Sequence, residues 1–571
     1  MSTRRTFIKQ AGAAGLLLAA SDRIGELIAQ APQGKVMSSP FKGLADIALN
    51  EAKRGGCSYA DIRFTRTLNF PGVAVVATAD GSPAPEPGAG GFGGRGGGRG
   101  GGGGRGGGRG GGRGGAFDGG DAGATLSADG APVAAGFGVR VVHSGVFGFA
   151  SSPIVTEDEI RRIARLATDV AKASAIAKKR DLILAPVPAY QVNWSTEMQK
   201  DPRTMSQSDK EAALQAVVNA AVKHKDVVSA TASANFNGEW KYFASTEGSY
   251  IEQELFSTQP SFNVTAKRGE TTRSRNYAMP GGMGGWELVE IDGMMANVDQ
   301  TVDEAIELAT AVPLTPGVKD LILMPSHLSL TIHEIIAHAT ELDRIMGYEA
   351  NYAGTSFATM DKLKDHFKYG SDKVTIVADK TQPGSLGAVG YDDEGVKTQK
   401  WDLIKDGVLV NYQVIRDQAH ILGLKESQGC CYADSWSSVQ FQRMANVSLQ
   451  PGKEAISPAD MIKDIENGVY IIGDGSFSID QQRYNAQFGG QLFYEIKNGK
   501  VTQPLEDVAY QMRTPEFWNS CAQICGQGDY RLGGSFFDGK GQPGQVSAVS
   551  HGASTARFNG ANVINTARSL G

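Results

Sequence analysis

The alternation of apolar and polar positions predicts a buried strand followed by an amphipathic helix in the C-terminal half. Val318–Met324 is an almost unbroken apolar run, which is typical of a strand covered on both faces. Pro325 and Ser326 interrupt the run, and serine is a favourable helix N-cap. From about His327 to Arg344, apolar residues recur every three or four positions, which predicts a helix with one apolar stripe. We therefore expect this helix to pack against a sheet.

The rest of the chain mixes helix-type and strand-type patterns. Helices are predicted at about Phe41–Arg54, from a capping box at Thr156–Glu159 to Ile176, from a second box at Ser208–Glu211 to His224, and at Asp299–Thr310. Strands are predicted at Tyr59–Phe64, within Val227–Ala266, and at Val374–Ala378, Gly407–Tyr412, Gly468–Ile472 and Gly490–Tyr494. The predicted class is α+β, with an N-terminal α/β region and a β-rich, barrel- or sandwich-like C-terminal domain that carries the amphipathic helix.

A chain of 571 residues with 41% hydrophobic content is long enough for two or three domains. The pattern places an N-terminal α/β domain at 42–185, a central α+β domain at 186–313 and the C-terminal β-rich domain at 314–571. An insertion at 82–125, dominated by glycine and arginine, interrupts the first domain. Such a composition cannot bury apolar area, so we expect the insertion to be disordered.

The N-terminus matches an export signal. Ser2–Lys9 contains the twin arginines Arg4 and Arg5, and the apolar run Ala11–Ala20 follows. That run is too short to span a bilayer, so residues 1–31 are expected to be a cleaved twin-arginine signal rather than a stable membrane anchor. We expect a periplasmic or extracellular protein.

The Gly/Arg-rich insertion raises the question of RNA binding, because such runs bind RNA in other proteins. The net charge of −5 and the export signal both argue against it. A flexible surface insertion, with no nucleic-acid partner, is the favoured interpretation.

The predicted helix contains the motif HExxxH at His333–His338. Two imidazoles can supply nitrogen ligands to a divalent metal, and the acid Glu334 can accept a proton from a water that the metal activates. These are the components of a metallopeptidase. The alternative, two unrelated histidines on one helix, is disfavoured because the chain holds only 8 histidines.

The spacing of the motif has a structural consequence. Residues five apart on an α-helix point about 140° away from each other, whereas residues four apart, as in HExxH, nearly coincide. His333 and His338 can reach one metal only if the helix contains a π-bulge or ends near His338. A distorted helix is therefore a prediction of the metal hypothesis.

A third ligand is expected elsewhere in the chain. The five cysteines are too few and too irregular for a disulfide framework. Cys521 and Cys525 stand close together near the C-terminus, and either thiolate is a candidate beside the two histidines.

Several motifs together resemble the TldD/PmbA ("modulator of gyrase") metallopeptidases. They are HExxxH, a Gly-Thr-Ser at Gly354–Ser356, the stretch Tyr391–Val396, the run Gln442–Asn446 and the Ile-Cys-Gly at Ile524–Gly526. The resemblance is strongest over residues 315–571 and weaker from about residue 42.

The resemblance implies a site and an activity. His333 and His338 match the family's metal-binding histidines, Glu334 its catalytic acid, and Cys525 the late cysteine that completes the metal site. It implies one divalent metal, with Zn²⁺ expected, and peptides or unfolded segments as substrates. It also implies a homodimer or a heterodimer with a related family member.

Three further residues are candidates for substrate binding. Asp393 and Glu394 could bind a substrate amine, and Arg443 could hold a substrate carboxylate. The alternatives are a structural turn for the acids and a structural salt bridge for Arg443. The sequence thus predicts an exported metallopeptidase. The alternative is a non-hydrolytic, metal-stabilised peptide-binding or partner subunit of a TldD/PmbA-type complex.

Overall fold

The computed structural model of the chain describes residues 23–30, 35–80, 135–277 and 279–567. Residues 1–22 and 31 of the predicted signal lie outside these ranges, as does the Gly/Arg-rich insertion, whereas residues 23–30 of that signal are described as a helix. The described chain is a mixed α+β structure, and this confirms the predicted fold class. None of the helices in these ranges has the length and apolar character needed to cross a bilayer.

The N-terminal half is built on one eight-stranded sheet. Its strand order is β3-β2-β1-β5-β6-β4, with β7 and β8 paired to β6, and its pairs are antiparallel except for β4 with β6. The strands are β1 (Tyr59–Thr78), β2 (Ala135–His143), β3 (Val146–Ser152), β4 (Gln191–Ser195), β5 (Val227–Ser245), β6 (Tyr250–Arg268), β7 (Thr271–Tyr277) and β8 (Gly282–Met283).

Two helical layers cover this sheet and give it two buried cores. Helices α2 and α3 pack over one end and α4 and α6 over the other. The helices of this half are α1 (residues 23–30), α2 (Pro40–Arg54), α3 (Glu157–Ser174), α4 (Gln207–Ala221), α5 (Ile291–Ala296) and α6 (Val298–Leu308). Strand β1 contributes Phe64 to the first core and Val73 to the second. The boundary that the sequence placed near residue 185 therefore falls within one sheet, because its long strands pass through both cores.

The capping residues explain where the helices begin. Thr156 caps α3 by accepting a hydrogen bond from the N–H of Glu159, as the capping box predicts. Helix α4 begins earlier than predicted, because Ser206 rather than Ser208 is its N-cap and accepts from the N–H of Asp209.

The C-terminal half contains a closed barrel of five strands. The order is β17-β10-β24-β20-β18, and β18 pairs back with β17 to close the ring. These strands are β10 (Gly317–Leu323), β17 (Asn467–Ile479), β18 (Asn485–Lys497), β20 (Val508–Arg513) and β24 (Ala556–Asn565). The barrel alternative of the predicted β-rich domain is thus the observed one.

Shorter strands and helices surround the barrel. The strands are β9 (Val312–Pro313), β11 (Ile376–Asp379), β12 (Lys400–Lys405), β13 (Val408–Leu409), β14 (Cys431–Tyr432), β15 (Phe441–Gln442), β16 (Val447–Leu449), β19 (Lys500–Glu506), β21 (Cys521–Ile524), β22 (Arg531–Lys540) and β23 (Gln545–Ala553). The helices are α7 (Pro325–Ile332), α8 (Leu342–Ile345), α9 (Met360–Lys364), α10 (Pro458–Ile462) and α11 (Thr514–Asn519). Strands β22 and β23 form a hairpin of their own.

Helix α7 is anchored to the barrel by apolar packing. Leu328 and Ile332 belong to the same buried cluster as side chains from all five barrel strands, namely Leu323, Ile471, Phe488, Tyr510 and Phe558. This rigid attachment fixes the segment that follows α7, which carries the HExxxH motif.

Candidate metal centre

The HExxxH motif forms a π-helical turn. Helix α7 ends at Ile332, His333–Ala337 is a π-helix, and His338–Thr340 is a single 3₁₀ turn. The N–H of His338 donates to the carbonyl of His333, five residues earlier. The two imidazole rings meet edge to face with their centroids 4.7 Å apart. This confirms the prediction that the helix is distorted between the histidines.

Side chains from outside the motif support the π turn. The Gln413 amide donates to the carbonyl of Ala337 at 2.8 Å and to the Thr340 hydroxyl at 3.0 Å. The Tyr369 hydroxyl donates to the carbonyl of Ile335. The segment then ends at Glu341, whose extended backbone (φ −74°, ψ 119°) stops the helix that was predicted to continue to Arg344.

The Nδ1 atom of each motif histidine is occupied by a hydrogen bond. His333 Nδ1 lies 2.8 Å from His551 Nε2, and His551 Nδ1 lies 2.9 Å from the carbonyl oxygen of Val447. Because a carbonyl can only accept, His551 Nδ1 carries the proton, its Nε2 accepts, and His333 Nδ1 donates. His338 Nδ1 lies 2.8 Å from a carboxylate oxygen of Glu341 and donates to it. Each histidine therefore has its Nε2 lone pair free for another ligand.

Asp538, from strand β22, faces both Nε2 atoms. Its Oδ1 lies 3.4 Å from Nε2 of His333 and 3.7 Å from Nε2 of His338. The three donor atoms lie within 4.8 Å of one another, and all three residues are buried. Within the described ranges, no other group of three or more His, Cys, Asp or Glu side chains converges in this way.

The charges around the cluster favour ligand protonation states at Asp538 and His338. Burial lowers the pKa of His333, but the negative charge of Asp538 outweighs it and raises this pKa. Burial raises the pKa of Asp538, but the charges of Arg443 and His333 outweigh it and hold this pKa well below its usual range. Burial holds the pKa of His338 well below its ordinary value and that of His551 at about 3. Asp538 is therefore a carboxylate and His338 a neutral imidazole near neutral pH. Two imidazole nitrogens and one carboxylate oxygen suit zinc or a similar divalent ion and leave a coordination position open.

A further layer of charges holds the ligands in place. Arg443 donates through one NH₂ group to Oδ2 and to the backbone carbonyl of Asp538, both at 2.6 Å. Lys540, two residues after Asp538, donates to Glu341 at 2.8 Å and so fixes the carboxylate that orients His338. Such partners set ring orientation and raise ligand basicity in metal sites.

Glu334 points towards an arginine. Its Oε2 accepts a hydrogen bond of 2.6 Å from Arg483, which lies in the turn between β17 and β18. Glu334 is 6% exposed and follows His333 directly, so its carboxylate lies at the edge of the cluster without being one of the three donors.

The structure does not bring Cys525 to the metal cluster. Strand β21 pairs with β24, and the Cys525 side chain packs with Ile322 and Met461 in a separate apolar cluster. Burial raises the pKa of its thiol to about 12, so it stays protonated. The thiol of Cys521 is also buried, with its pKa raised to about 12. Asp538, rather than Cys525, is the third side chain that converges on the two histidines.

The candidate substrate-binding residues lie in buried ion pairs. Glu394 accepts from Arg140 of β2 at 3.0 Å, and Asp393 accepts from Lys241 of β5 at 3.1 Å. Both acids are at most 4% exposed, and they join the C-terminal half to the N-terminal sheet. Arg443 holds Asp538, as described above. In each case the structure favours the structural alternative over contact with substrate.

Sequence reasoning missed the parts of the site that are distant in the chain. Asp538, Lys540 and Arg483 carry no recognisable spacing relative to the motif, and His551 stands alone in the sequence. Glu341 lies only three residues after His338, but the helix predicted to continue to Arg344 gave no sign that its side chain would accept from His338. Asp538 and His551 lie on the two strands of one hairpin, β22 and β23, so only the folded chain reveals them.

Comparison with family models gives two matches. The model described as PmbA/TldA metallopeptidase C-terminal domain matches residues 316–564, and the one described as PmbA/TldA metallopeptidase central domain matches residues 200–311. The C-terminal match includes the histidines, Asp538 and Glu334.

Several proteins are similar to this chain in sequence. A protein named metalloprotease from Methanothermobacter thermautotrophicus is 28% identical over 76% of this chain and 89% of its own length. A zinc metalloprotease TldD homolog from Saccharolobus solfataricus is 23% identical over 72% of this chain and 86% of its own length.

Solved structures share the fold. A proposed modulator of a DNA gyrase from Thermotoga maritima superposes with a TM-score of 0.65 at 15% identity, over 92% of this chain and 100% of its own. TldE from Thermococcus kodakarensis superposes with a TM-score of 0.59 at 14% identity, over 91% of this chain and 99% of its own. At these identities the likeness concerns the fold alone.

Proposed function

Because the chain belongs to the PmbA/TldD metallopeptidase family, we propose that it hydrolyses peptide bonds with one divalent metal ion, zinc in the simplest case. His333, His338 and Asp538 would hold the ion. The observation that carries this proposal is the convergence of the two free Nε2 atoms and the Asp538 carboxylate within 4.8 Å. Single π turns of this kind occur frequently at functional sites.

The roles of the residues follow from their positions. A bound zinc ion would lower the pKa of a water to about 7 and polarise the scissile carbonyl. Glu334 accepts the proton of the attacking water and returns it to the nitrogen of the leaving amine. His551 and Glu341 hold the two imidazoles in the tautomer that leaves Nε2 unprotonated. Arg443 keeps Asp538 ionised and aimed at the cluster.

The names of the relatives support the same activity. The Methanothermobacter protein is named a metalloprotease, and the Saccharolobus protein a zinc metalloprotease TldD homolog. Peptides or unfolded segments are the proposed substrates, as the family resemblance implies.

The test combines metal analysis with cleavage of a peptide library. The purified protein should contain about one equivalent of zinc or a similar ion and should cleave library peptides. Glu334→Gln should bind the same metal but hydrolyse at least about 10²-fold more slowly, because the amide cannot take up the proton. A metal-free protein, or a fully active Glu334→Gln variant, would refute the proposal. A metal-loaded protein that binds peptides without cleaving them would favour the non-hydrolytic alternative.

We also propose that the protein works as a homodimer or with a related subunit, and that the twin-arginine route exports it. The family resemblance supports the first proposal, and the Arg4-Arg5 signal supports the second. Light scattering of the purified protein tests the assembly. Cell fractionation of the wild type and of a variant with Lys at positions 4 and 5 tests the export: the variant should remain in the cytoplasm.

A further inference from the structure

The hairpin between β17 and β18 presents Arg483 to the general base. Its turn, Asp480–Asn485, is fixed from within by the Asp480 carboxylate, which accepts three backbone N–H groups of the turn at 2.9–3.0 Å. The N–H of Arg483 also donates to the carbonyl of Asp480 at 3.1 Å. The turn is therefore rigid without help from any ligand.

Two neighbouring segments clamp the same turn from outside. The N–H groups of Thr355 and Phe357 donate to the carbonyls of Gln481 and Gln482 at 2.9 and 2.8 Å. Such close approach needs a glycine at position 354, where a Cβ atom would come within 2.2 Å of the Gln481 carbonyl oxygen. On the other side, the Thr514 hydroxyl donates to the carbonyl of Arg483 at 2.6 Å.

Arg483 itself has a strained backbone. Its φ of +63° lies in the left-handed region. Apart from glycine, asparagine and aspartate, residues rarely adopt this conformation. Non-glycine residues in this region persist where the surroundings impose them, and they cluster at functional sites. A glycine would remove the strain, and here the retained side chain is the one that donates to Glu334.

The guanidinium has more donors than the described part of the protein uses. One NH₂ group donates to Glu334, but Nε is buried and has no hydrogen-bond partner in the described residues. The side chain is 11% exposed. The second NH₂ group makes no hydrogen bond in the described residues and is not among the buried atoms, so it is suited to donate to an oxygen atom of a bound molecule.

We propose that Arg483 is a catalytic residue that donates a hydrogen bond to the scissile carbonyl oxygen of the peptide while it holds Glu334. The inference rests on the proposed peptidase function. Because Arg483 contacts the carboxylate that would activate the water, we assign its second NH₂ group to the carbonyl that the water attacks rather than to a distant part of the substrate. If Arg483 only positioned Glu334, one NH₂ group would suffice.

Hydrolysis of the peptide bond would proceed through attack by water on the carbonyl carbon. The water oxygen forms a bond to the carbonyl carbon and gives one proton to Glu334. The π electron pair of the carbonyl moves onto its oxygen, and the guanidinium stabilises that negative charge. When the C–N bond breaks, the pair on oxygen re-forms the carbonyl. The amine nitrogen keeps the C–N pair and takes the proton from Glu334. Stabilisation of such an oxyanion is among the largest contributions to acyl-transfer rates.

Kinetics provide the first test. Arg483→Gln should lower kcat about 10²- to 10³-fold and change KM by no more than about threefold, because the contact forms mainly in the transition state. In Arg483→Ala, added guanidinium ions should restore part of kcat. Arg513→Gln, in the neighbouring strand and exposed, should behave like the wild type.

Binding of a tetrahedral analogue separates the two contacts of Arg483. In a Glu334→Gln background the ion pair is already absent. A phosphinic peptide, which mimics the oxyanion, should bind the Glu334→Gln/Arg483→Gln double variant about 10²-fold more weakly than the Glu334→Gln single variant. Bound metal should be equal in both proteins.

The outcomes distinguish this inference from the function on which it rests. If the metal-loaded wild type hydrolyses no peptide, the proposed peptidase function is refuted. An active wild type with equal phosphinic-peptide affinity in the two variants would overturn the role of Arg483 and leave the peptidase assignment intact. Loss of metal in Arg483→Gln would also overturn it, because the residue would then serve the metal ligands.

Discussion

His551 Nε2 accepts a hydrogen bond from His333 Nδ1 at 2.8 Å, and this single contact decides which nitrogen of His333 is free. The direction of the bond is fixed one step further away, where His551 donates to the carbonyl of Val447. A histidine that looks isolated in the sequence therefore sets the tautomer of the first residue of the HExxxH motif.

Substitution of His551 should weaken metal binding. His551→Phe keeps the ring volume but removes the acceptor, so His333 loses its orienting partner. We expect metal affinity to fall about 10- to 100-fold, as for other residues that support metal ligands. Competition with a chromophoric chelator measures this affinity. The exposed His366→Ala is the control and should leave the metal affinity unchanged. If the metal affinity of His551→Phe also equals that of the wild type, the tautomer of His333 is fixed by other means.

The third ligand can be identified by a pair of variants. Asp538→Ala should lose most of its bound metal, whereas Cys525→Ala should keep it, because the thiol packs in a separate apolar cluster. Metal content measured by elemental analysis decides between them. Asp538→Asn preserves an oxygen acceptor for Arg443 and checks that the loss does not arise from misfolding. The opposite result, with metal lost only from Cys525→Ala, would restore the assignment that the sequence favoured.

Glu394 should matter for stability rather than for substrate binding. Arg140 is buried between Asp61 at 2.7 Å and Glu394 at 3.0 Å. Arg140→Met leaves two buried carboxylates without their partner and should lower the free energy of unfolding by about 3–5 kcal/mol. Glu394→Gln should destabilise less and leave KM unchanged. Urea unfolding and steady-state kinetics test both variants; a large rise in KM for Glu394→Gln with unaltered stability would revive the substrate-binding role.

Asp417 should make stability depend on pH. Burial, with a smaller contribution from Glu394, raises its pKa to about 7 from 3.8, and one of its carboxylate oxygens is buried without a hydrogen-bond partner in the described residues. The folded state therefore holds this proton more tightly than the unfolded state, and stability falls as the pH rises towards 7. Asp417→Asn should remove this contribution to the pH dependence of the free energy of unfolding.

The measurement for Asp417 is urea unfolding at pH 5 and pH 8. Between these values, the wild type should lose about 1–3 kcal/mol relative to Asp417→Asn. The exposed Asp372→Asn is the control and should follow the wild type at both pH values. Parallel pH profiles for the wild type and Asp417→Asn would show that Asp417 is ionised in the fold at little cost.

Local chemistry was predictable from the sequence, and the long-range part of the site was not. The π turn follows from the five-residue spacing of His333 and His338, because both partners lie on one helix. Asp538 reaches the two histidines from strand β22, about 200 residues later in the chain. The pattern of residues within β22 does not predict this contact. Likewise, Glu341 ends the helix early so that its side chain can accept from His338, and this tertiary contact overrides a sequence pattern that continues to Arg344.

The predicted boundary near residue 185 shows the same dependence on distant partners. It lies between strands of one sheet, in which β1 and β5 pair along most of their length and contribute to both cores. Strand length depends on partners that lie far away in the chain. The predicted strand Tyr59–Phe64 is only the first part of the 20-residue β1.

The π turn also sets the direction in which the chain leaves the motif. A π turn closes over five residues where an α-turn closes over four, so the extra residue between the histidines is absorbed and the chain after it leaves in nearly the same direction. Deleting Ile336 would restore the common HExxH spacing, and an ordinary α-turn would then present both histidines on one side without the support of Gln413 and Tyr369. The longer spacing and the π turn thus compensate each other, and the side chains around the turn stabilise a geometry that the shorter motif reaches as a regular helix.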